Sequence, residues 1–170
     1  MLESKIVLRL NAQLNMELYS AYLYLDIYSF YFDKNLTGFA NWFYVQAQEE
    51  RDHAMLMMKY LLNNSEKVVL TEIKAPTGGY ENFRVPISDA FDHERLVTAS
   101  INSIYADASA IKDFRTMQFL DWFVKEQGEE EMNVDGIAKK YDLFGGDPRG
   151  LYLLDGELAA RVYAPPTLVI

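Results

Sequence analysis

The chain has 170 residues, half of them apolar and 14% aromatic, enough for one domain with a substantial core. A net charge of −9 argues against a nucleic-acid partner, because a phosphate backbone calls for a basic face, and suits a protein that attracts cations. No uncharged run reaches the eighteen or so residues of a membrane span, and Met1-Leu2-Glu3-Ser4-Lys5 lacks the apolar stretch of a signal peptide, so a cytoplasmic protein with no membrane partner is expected.

All five prolines lie at 76, 86, 148, 165 and 166, which leaves residues 1–75 and 87–147 free of the strongest helix breaker. In the first region Ile6, Leu10, Leu14, Leu18, Ala21, Leu25 and Tyr28 recur every three or four residues, the pattern of an amphipathic helix. A break follows at Lys34-Asn35-Leu36-Thr37-Gly38, where Asn35 is placed to cap a second helix carrying Phe39, Phe43, Ala47, Ala54, Met57 and Leu61. Residues 63–86, with Asn63-Asn64-Ser65, Pro76, Gly78, Gly79 and Pro86, read as a long irregular connection with a short strand at Lys67-Val68-Val69-Leu70. About twenty extended residues reach roughly 60 Å, more than the roughly 42 Å of a helix of about 28 residues, so this connection can cross over the length of a bundle.

A third helix from Ser88 to about Ser109 then buries Phe91, Leu96, Val97, Ile101, Ile104 and Tyr105. Asp113 is placed to cap a fourth, which carries Phe114, Phe119, Leu120, Phe123, Val124, Val134 and Ile137. Gly145-Gly146-Asp147-Pro148 is a stop and restart, in which glycine ends one helix and Asp147 is placed to cap a short fifth helix at about 148–160, with an apolar tail at 161–170. The expected fold is all-α: one domain over 1–170, a four-helix bundle at about 4–143 with a long crossover between helices 2 and 3 and a short fifth C-terminal helix.

One pattern occurs twice in this chain at the same spacing. Glu17 is followed thirty-three residues later by Glu50 and then His53, and Glu94 is followed thirty-three residues later by Gln127 and then Glu130. Residues three apart share a helix face, and residues equidistant from the turn of an antiparallel hairpin sit at one level. All these groups therefore meet near mid-bundle. Each glutamate interrupts an apolar stripe, and taken singly each reads equally well as a stripe-edge residue reaching water. Four in register favour burial around cations, which is how a packed interior tolerates such charge. With no cysteine in the chain, thiolate zinc and iron–sulfur ligation are excluded, and a carboxylate set with one imidazole suits iron or manganese.

Glu126, Glu129 and Glu130 share a face, and Glu49 lies beside Glu50, so these acids read either as a solvated face or as an additional, weaker metal position; Glu131 reads as solvated. Tyr24, two turns from Glu17, is either core packing or an electron donor beside a redox metal. His93 points about 100° away from Glu94 and is expected at the surface or the stripe edge.

These motifs resemble the ferritin family, and most of all the bacterial non-heme ferritins. The resemblance spans the whole chain: Asn15-Met16-Glu17-Leu18-Tyr19-Ser20, Ala47-Gln48-Glu49-Glu50-Arg51-Asp52-His53, His93-Glu94, Trp122-Phe123-Val124-Lys125-Glu126-Gln127-Gly128-Glu129-Glu130-Glu131 and Gly150-Leu151-Tyr152. It implies a hollow homo-oligomeric shell of 24 subunits that oxidises ferrous iron with dioxygen or peroxide and stores the ferric oxyhydroxide product. By motif position Glu17, Glu50 and His53 hold one iron of a dinuclear centre, and Glu50, Glu94 and Glu130 hold the other with Gln127 behind them. Glu49, Glu126 and Glu129, with Glu130, match a third iron site, and Tyr24 matches the family's motif tyrosine. Heme-binding relatives carry a second E-x-x-H and a ligating methionine, whereas here Glu130 stands in the histidine position and Arg51 follows Glu50, so no heme is expected. Gly128 inside the fourth helix is unexplained, and the apolar tail either docks on the shell or serves an unknown partner. Competing readings are a di-iron oxidase or peroxidase without mineral storage, a non-catalytic shell subunit, and a DNA-protecting dodecamer; the fifth helix, the intact ligand set and the lack of a basic tail argue against them in turn.

Overall fold

The computed structural model of the chain describes residues 2–76 and 78–170, and its elements follow the proline spacing: α1 (Ser4–Asp33), α2 (Thr37–Asn63), α3 (Val85–Ala110), α4 (Phe114–Phe144) and α5 (Pro148–Leu158). Among the described residues there is no strand. Two of the expected caps are in place: Asp113 accepts from the Thr116 amide at 3.1 Å, and Asp147 from the Gly150 amide at 2.8 Å. Helix α3 begins at Val85, three residues before the expected Ser88, because Pro86 fits the first helical turn.

Asn35 does not cap α2. It adopts φ 59° in the turn, a left-handed conformation that asparagine tolerates, and α2 begins at Thr37. The exposed amides of α2 are met instead from far along the chain, where Asp155 Oδ1 of α5 accepts from Gly38 N at 2.8 Å and Phe39 N at 2.9 Å. Gly38 is required by this docking, since a Cβ there would lie 1.7 Å from the Asp155 carbonyl oxygen.

The expected strand at Lys67–Leu70 is not formed, because no second strand is present to pair with it. Two asparagines one turn apart on α1 take the partner's place. Asn11 Nδ2 donates to the Lys67 carbonyl at 3.0 Å and Asn11 Oδ1 accepts from Val69 N at 2.6 Å, while Asn15 does the same for the Val69 carbonyl and Thr71 N, both at 2.8 Å. The crossover is thereby laid along α1 with its polar backbone satisfied.

Helix α1 packs on α2, α3 on α4 and α1 on α3, whereas α2 and α4 stand further apart; α5 rests on the ends of α2 and α4. The core divides into two apolar clusters. One, built on Tyr24, Ile27, Tyr31, Phe39, Phe43 and Ile87, lies toward the α1–α2 turn and includes Leu154 and Leu158 of α5. The other, built on Leu10, Leu14, Met57, Ile101, Leu120 and Phe123, fills the opposite half. Several residues expected in the core are exposed: Leu25 at 41%, Leu96 at 62%, Phe114 at 70% and Val124 at 41%. Periodicity marks an apolar stripe without saying whether this bundle or another chain covers it. Gly128 faces open space, with nothing within 4 Å of an added Cβ, and nothing in the structure explains it.

Candidate metal centre

Between the two apolar clusters, each long helix turns polar groups inward at one level. Glu17, Glu50, His53, Glu94, Gln127 and Glu130 are all buried, at no more than 3% exposure, so none of these glutamates is a stripe-edge residue. The ligand atoms of Glu17, Glu50 and His53 lie within 4.8 Å of one another, and those of His53, Glu126 and Glu130 form a second such group that shares the imidazole. His53 Nδ1 lies 3.3 Å from Glu50 Oε2, as E-x-x-H on one face dictates. Glu94 lies in neither group. Its carboxylate accepts from Gln127 Nε2 at 3.0 Å and from the Tyr24 hydroxyl, which fixes it across the layer. Of the outlying acids, Glu126 is half-buried beside the centre, while Glu49 pairs with Arg161 and the exposed Glu129 lies 3.6 Å from Lys125.

Sequence reasoning missed two buried amides. Gln13 Nε2 donates to Glu17 Oε1 at 2.8 Å, and Gln46 Nε2 donates to Glu50 Oε1 at 2.9 Å and to Glu130 Oε2 at 2.7 Å. A signal for them existed. Each glutamine precedes its glutamate by four residues, a spacing at which side chains meet on a helix, and the two glutamines are themselves thirty-three residues apart. The expectation for His93 is also corrected: it is buried, its Nε2 lies 2.7 Å from Ser20 Oγ, and its ring stands edge-on to Tyr19 and Tyr24. It does point away from Glu94, but α1 packs closely on α3 in that direction and fills the space where water was expected.

Burial of four glutamates with one histidine sets the electrostatics. Desolvation pushes the Glu17 and Glu130 carboxyls well above their usual range, with the charge of Glu50 adding to it. Glu94 is pushed up to about 8 by burial and then by Glu50. Burial works against Glu50 as well, but the His53 charge and the hydrogen bonds from His53 and Gln46 outweigh it and leave Glu50 below the usual carboxylate range. Desolvation likewise opposes a charged His53, yet Glu50, Glu17 and Glu130 raise it to about 10. Without a metal, burial therefore favours protons on Glu17, Glu94 and Glu130, protons that a cation would displace, and Glu17 Oε2 is buried with no hydrogen-bond partner among the described residues. A lone carboxylate oxygen pointing into a group of ligand atoms is what a cation would complete. The donor set, all oxygen and imidazole, fits iron or manganese and lacks the thiolates of structural zinc.

A four-helix bundle that converges glutamates and a Glu-x-x-His pair at mid-height belongs to the carboxylate metal-binding bundles. Comparison with known proteins narrows the class. The ferritin-like domain family matches residues 7–144. The chain is 37% identical to the bacterial non-heme ferritin of Campylobacter jejuni over 155 residues, 91% of this chain and 93% of that protein. It is 34% identical over 158 residues to a probable bacterial non-heme ferritin-like protein of Haemophilus influenzae, covering 93% and 96% of the two chains. Among solved structures, a humanized archaeal ferritin superposes with a TM-score of 0.95 at 40% identity, covering 97% of this chain and all of that one. An open-pore ferritin from Archaeoglobus fulgidus gives a TM-score of 0.92 at 39% identity, covering 95% and 98%. The chain belongs to the ferritin family. Iron storage is the function that this membership and the buried Glu/His cluster together support.

Proposed function

We propose that the chain is a ferroxidase subunit, in which the buried glutamates and His53 bind two ferrous ions and let each give up one electron to dioxygen or peroxide. The two electrons, with two protons, reduce dioxygen to peroxide or peroxide to water, and the ferric product leaves for storage as mineral. The observation that carries this reading is the buried group Glu17, Glu50 and His53 with its unpartnered Glu17 oxygen. Glu50, placed between Glu17, His53 and the Gln46 that also holds Glu130, is the carboxylate positioned to bridge two ions. Glu17 and His53 hold one ion; Glu94 and Glu130 hold the other, with Gln127 and Gln46 orienting their carboxylates. Tyr24, hydrogen-bonded to Glu94, is placed to supply a further electron. Glu49, Glu126 and Glu129 form the third position, and Glu130 in the place of a second histidine supports the expectation of no heme.

Assembly into a closed shell of 24 copies is supported by apolar side chains that this bundle leaves open, including Tyr22, Leu25, Phe32, Tyr44, Met55 and Leu62 along α1 and α2. No described helix is long and apolar enough to cross a membrane, and we place the shell in the cytoplasm. Native mass spectrometry combined with iron-dependent absorbance on adding ferrous iron in air tests both parts. A stable monomer or dimer, or oxidation no faster than in buffer alone, would refute them.

A further inference from the structure

The wide side of the bundle, between α2 and α4, is closed by the tail. After α5 the chain runs back along this groove and is fastened on both sides of the metal centre. At one end the Asn41 amide donates to the Arg161 carbonyl at 2.9 Å, the Arg161 guanidinium sits 4.1 Å above the Trp42 ring, and Arg161 pairs with Glu49. The Tyr163 hydroxyl donates to Asp52. At the other end Trp122 Nε1 donates to Thr167 Oγ1 at 3.2 Å, and Leu168 and Ile170 pack on the apolar cluster built on Leu10, Met57 and Phe123. Between these fastenings Ala164-Pro165-Pro166-Thr167 spans a cavity of about 290 Å³ whose other wall carries Glu49, His53, Glu126 and Glu129, with Lys125 beside Glu129. At roughly 30 Å³ per water that is room for about ten waters, enough for a cation that still keeps its hydration shell.

The cavity is therefore an antechamber to the buried layer, and a positive group already sits at its rim. The Arg161 side chain is only 18% exposed and its Glu49 partner 21%. The guanidinium is held there by three different contacts: a carboxylate, an indole face, and a main-chain oxygen, that of Trp42, at 3.4 Å. We propose that Arg161 is a tethered counter-ion on Glu49, one carboxylate of the third metal position, in the resting protein, and that the tail is a strap which lifts from the α2–α4 groove when a metal ion takes Glu49. A divalent ion and a guanidinium repel each other across a shared carboxylate, so one excludes the other. The third position then loads only as the strap opens, and the antechamber empties inward, toward Glu126, Glu130 and His53, when Arg161 returns. This inference rests on the reading of the centre given above.

Anaerobic titration with Co²⁺, a probe whose visible spectrum reports its ligands, tests the proposal on the assembled protein and on Arg161→Gln and Arg161→Lys, with cobalt positions fixed by anomalous diffraction. Two tight ions per subunit are expected in all three. The third ion should bind about tenfold more tightly in Arg161→Gln, the scale of one half-buried ion pair and one cation–π contact, and with wild-type affinity in Arg161→Lys. In the wild type, filling the third position should increase hydroxyl-radical labelling of Tyr163 and Trp122, whose side chains fasten the tail to Asp52 and Thr167. A third ion no tighter in Arg161→Gln, equal tightening in Arg161→Lys, or unchanged labelling of both side chains overturns the proposal. Loss of the two tight ions in the wild type would instead overturn the reading of the centre, and this inference with it.

Discussion

The buried layer and its mouth are both acidic, but they manage their charge in opposite ways. In the layer, Glu17, Glu94 and Glu130 lack basic side-chain partners within ion-pair distance among the described residues; glutamine amides and a phenol hold them in place, and burial makes their ionisation costly. At the mouth, Glu49 and Glu129 have Arg161 and Lys125 beside them, and Glu129 is open to solvent. A site that stores electrostatic tension binds a cation tightly, because the ion relieves a penalty that folding imposed. A site whose charge is already met binds weakly and releases readily. The same residue type thus supports a chemical centre on one side and a transfer point on the other.

The sharpest way to break this contrast is to remove the middle of the layer. Glu50→Ala and His53→Ala should fold and assemble normally yet lose rapid iron oxidation by more than the roughly 10–100-fold that loss of a supporting partner costs; stopped-flow absorbance checks this, and wild-type rates would contradict the assignment. Gln46→Ala touches no ion but frees both Glu50 and Glu130, so metal affinity in anaerobic calorimetry should fall by that roughly 10–100-fold itself. Glu17→Gln tests the stored tension directly. With an acid that burial forces toward its protonated form replaced by a neutral amide, the metal-free protein should gain about 1–3 kcal/mol at neutral pH, read as a higher thermal midpoint, while the further stabilisation that metal gives the wild type shrinks. The smallest effect belongs to the mouth: Glu126→Ala with Glu129→Ala should keep both tight ions and change only the iron consumed per oxygen.

The architecture was legible because it rests on local signals. Proline placement bounded the long helices, Asp113 and Asp147 capped where their sequences said, and the thirty-three-residue register put the ligands at one level. What could not be read depends on which helix stands beside which. His93 reads as a surface or stripe-edge residue because its own helix gives only a direction, and the Ser20 that meets it is 73 residues away. The Asn11 and Asn15 contacts to the crossover and the Arg161 contact to Glu49 join residues 54 to 112 positions apart, with no periodicity to announce them. Leu96 and Phe114 show a different limit, since a single sequence displays every apolar stripe alike, whether it faces its own core or a neighbour. The glutamine pair was within reach, because it obeys the same register as the ligands it supports.

The docking of α5 on α2 has a consequence for how the molecule is made. Gly38 and Asp155 are 117 residues apart, so a helix begun early in synthesis waits until the fifth helix has been made before its first amides find this partner. Until then the α1–α2 hairpin has a frayed lip beside Tyr31, Phe39 and Phe43, the aromatic end of the bundle. A chain cut short before Asp155 would keep every group of the buried metal layer and still present that loosened end. Completion of the fifth helix is thereby registered at the α1–α2 turn, and a product that lacks it carries a physical mark, unpartnered amides at the start of α2, by which quality control or failed assembly can discard it.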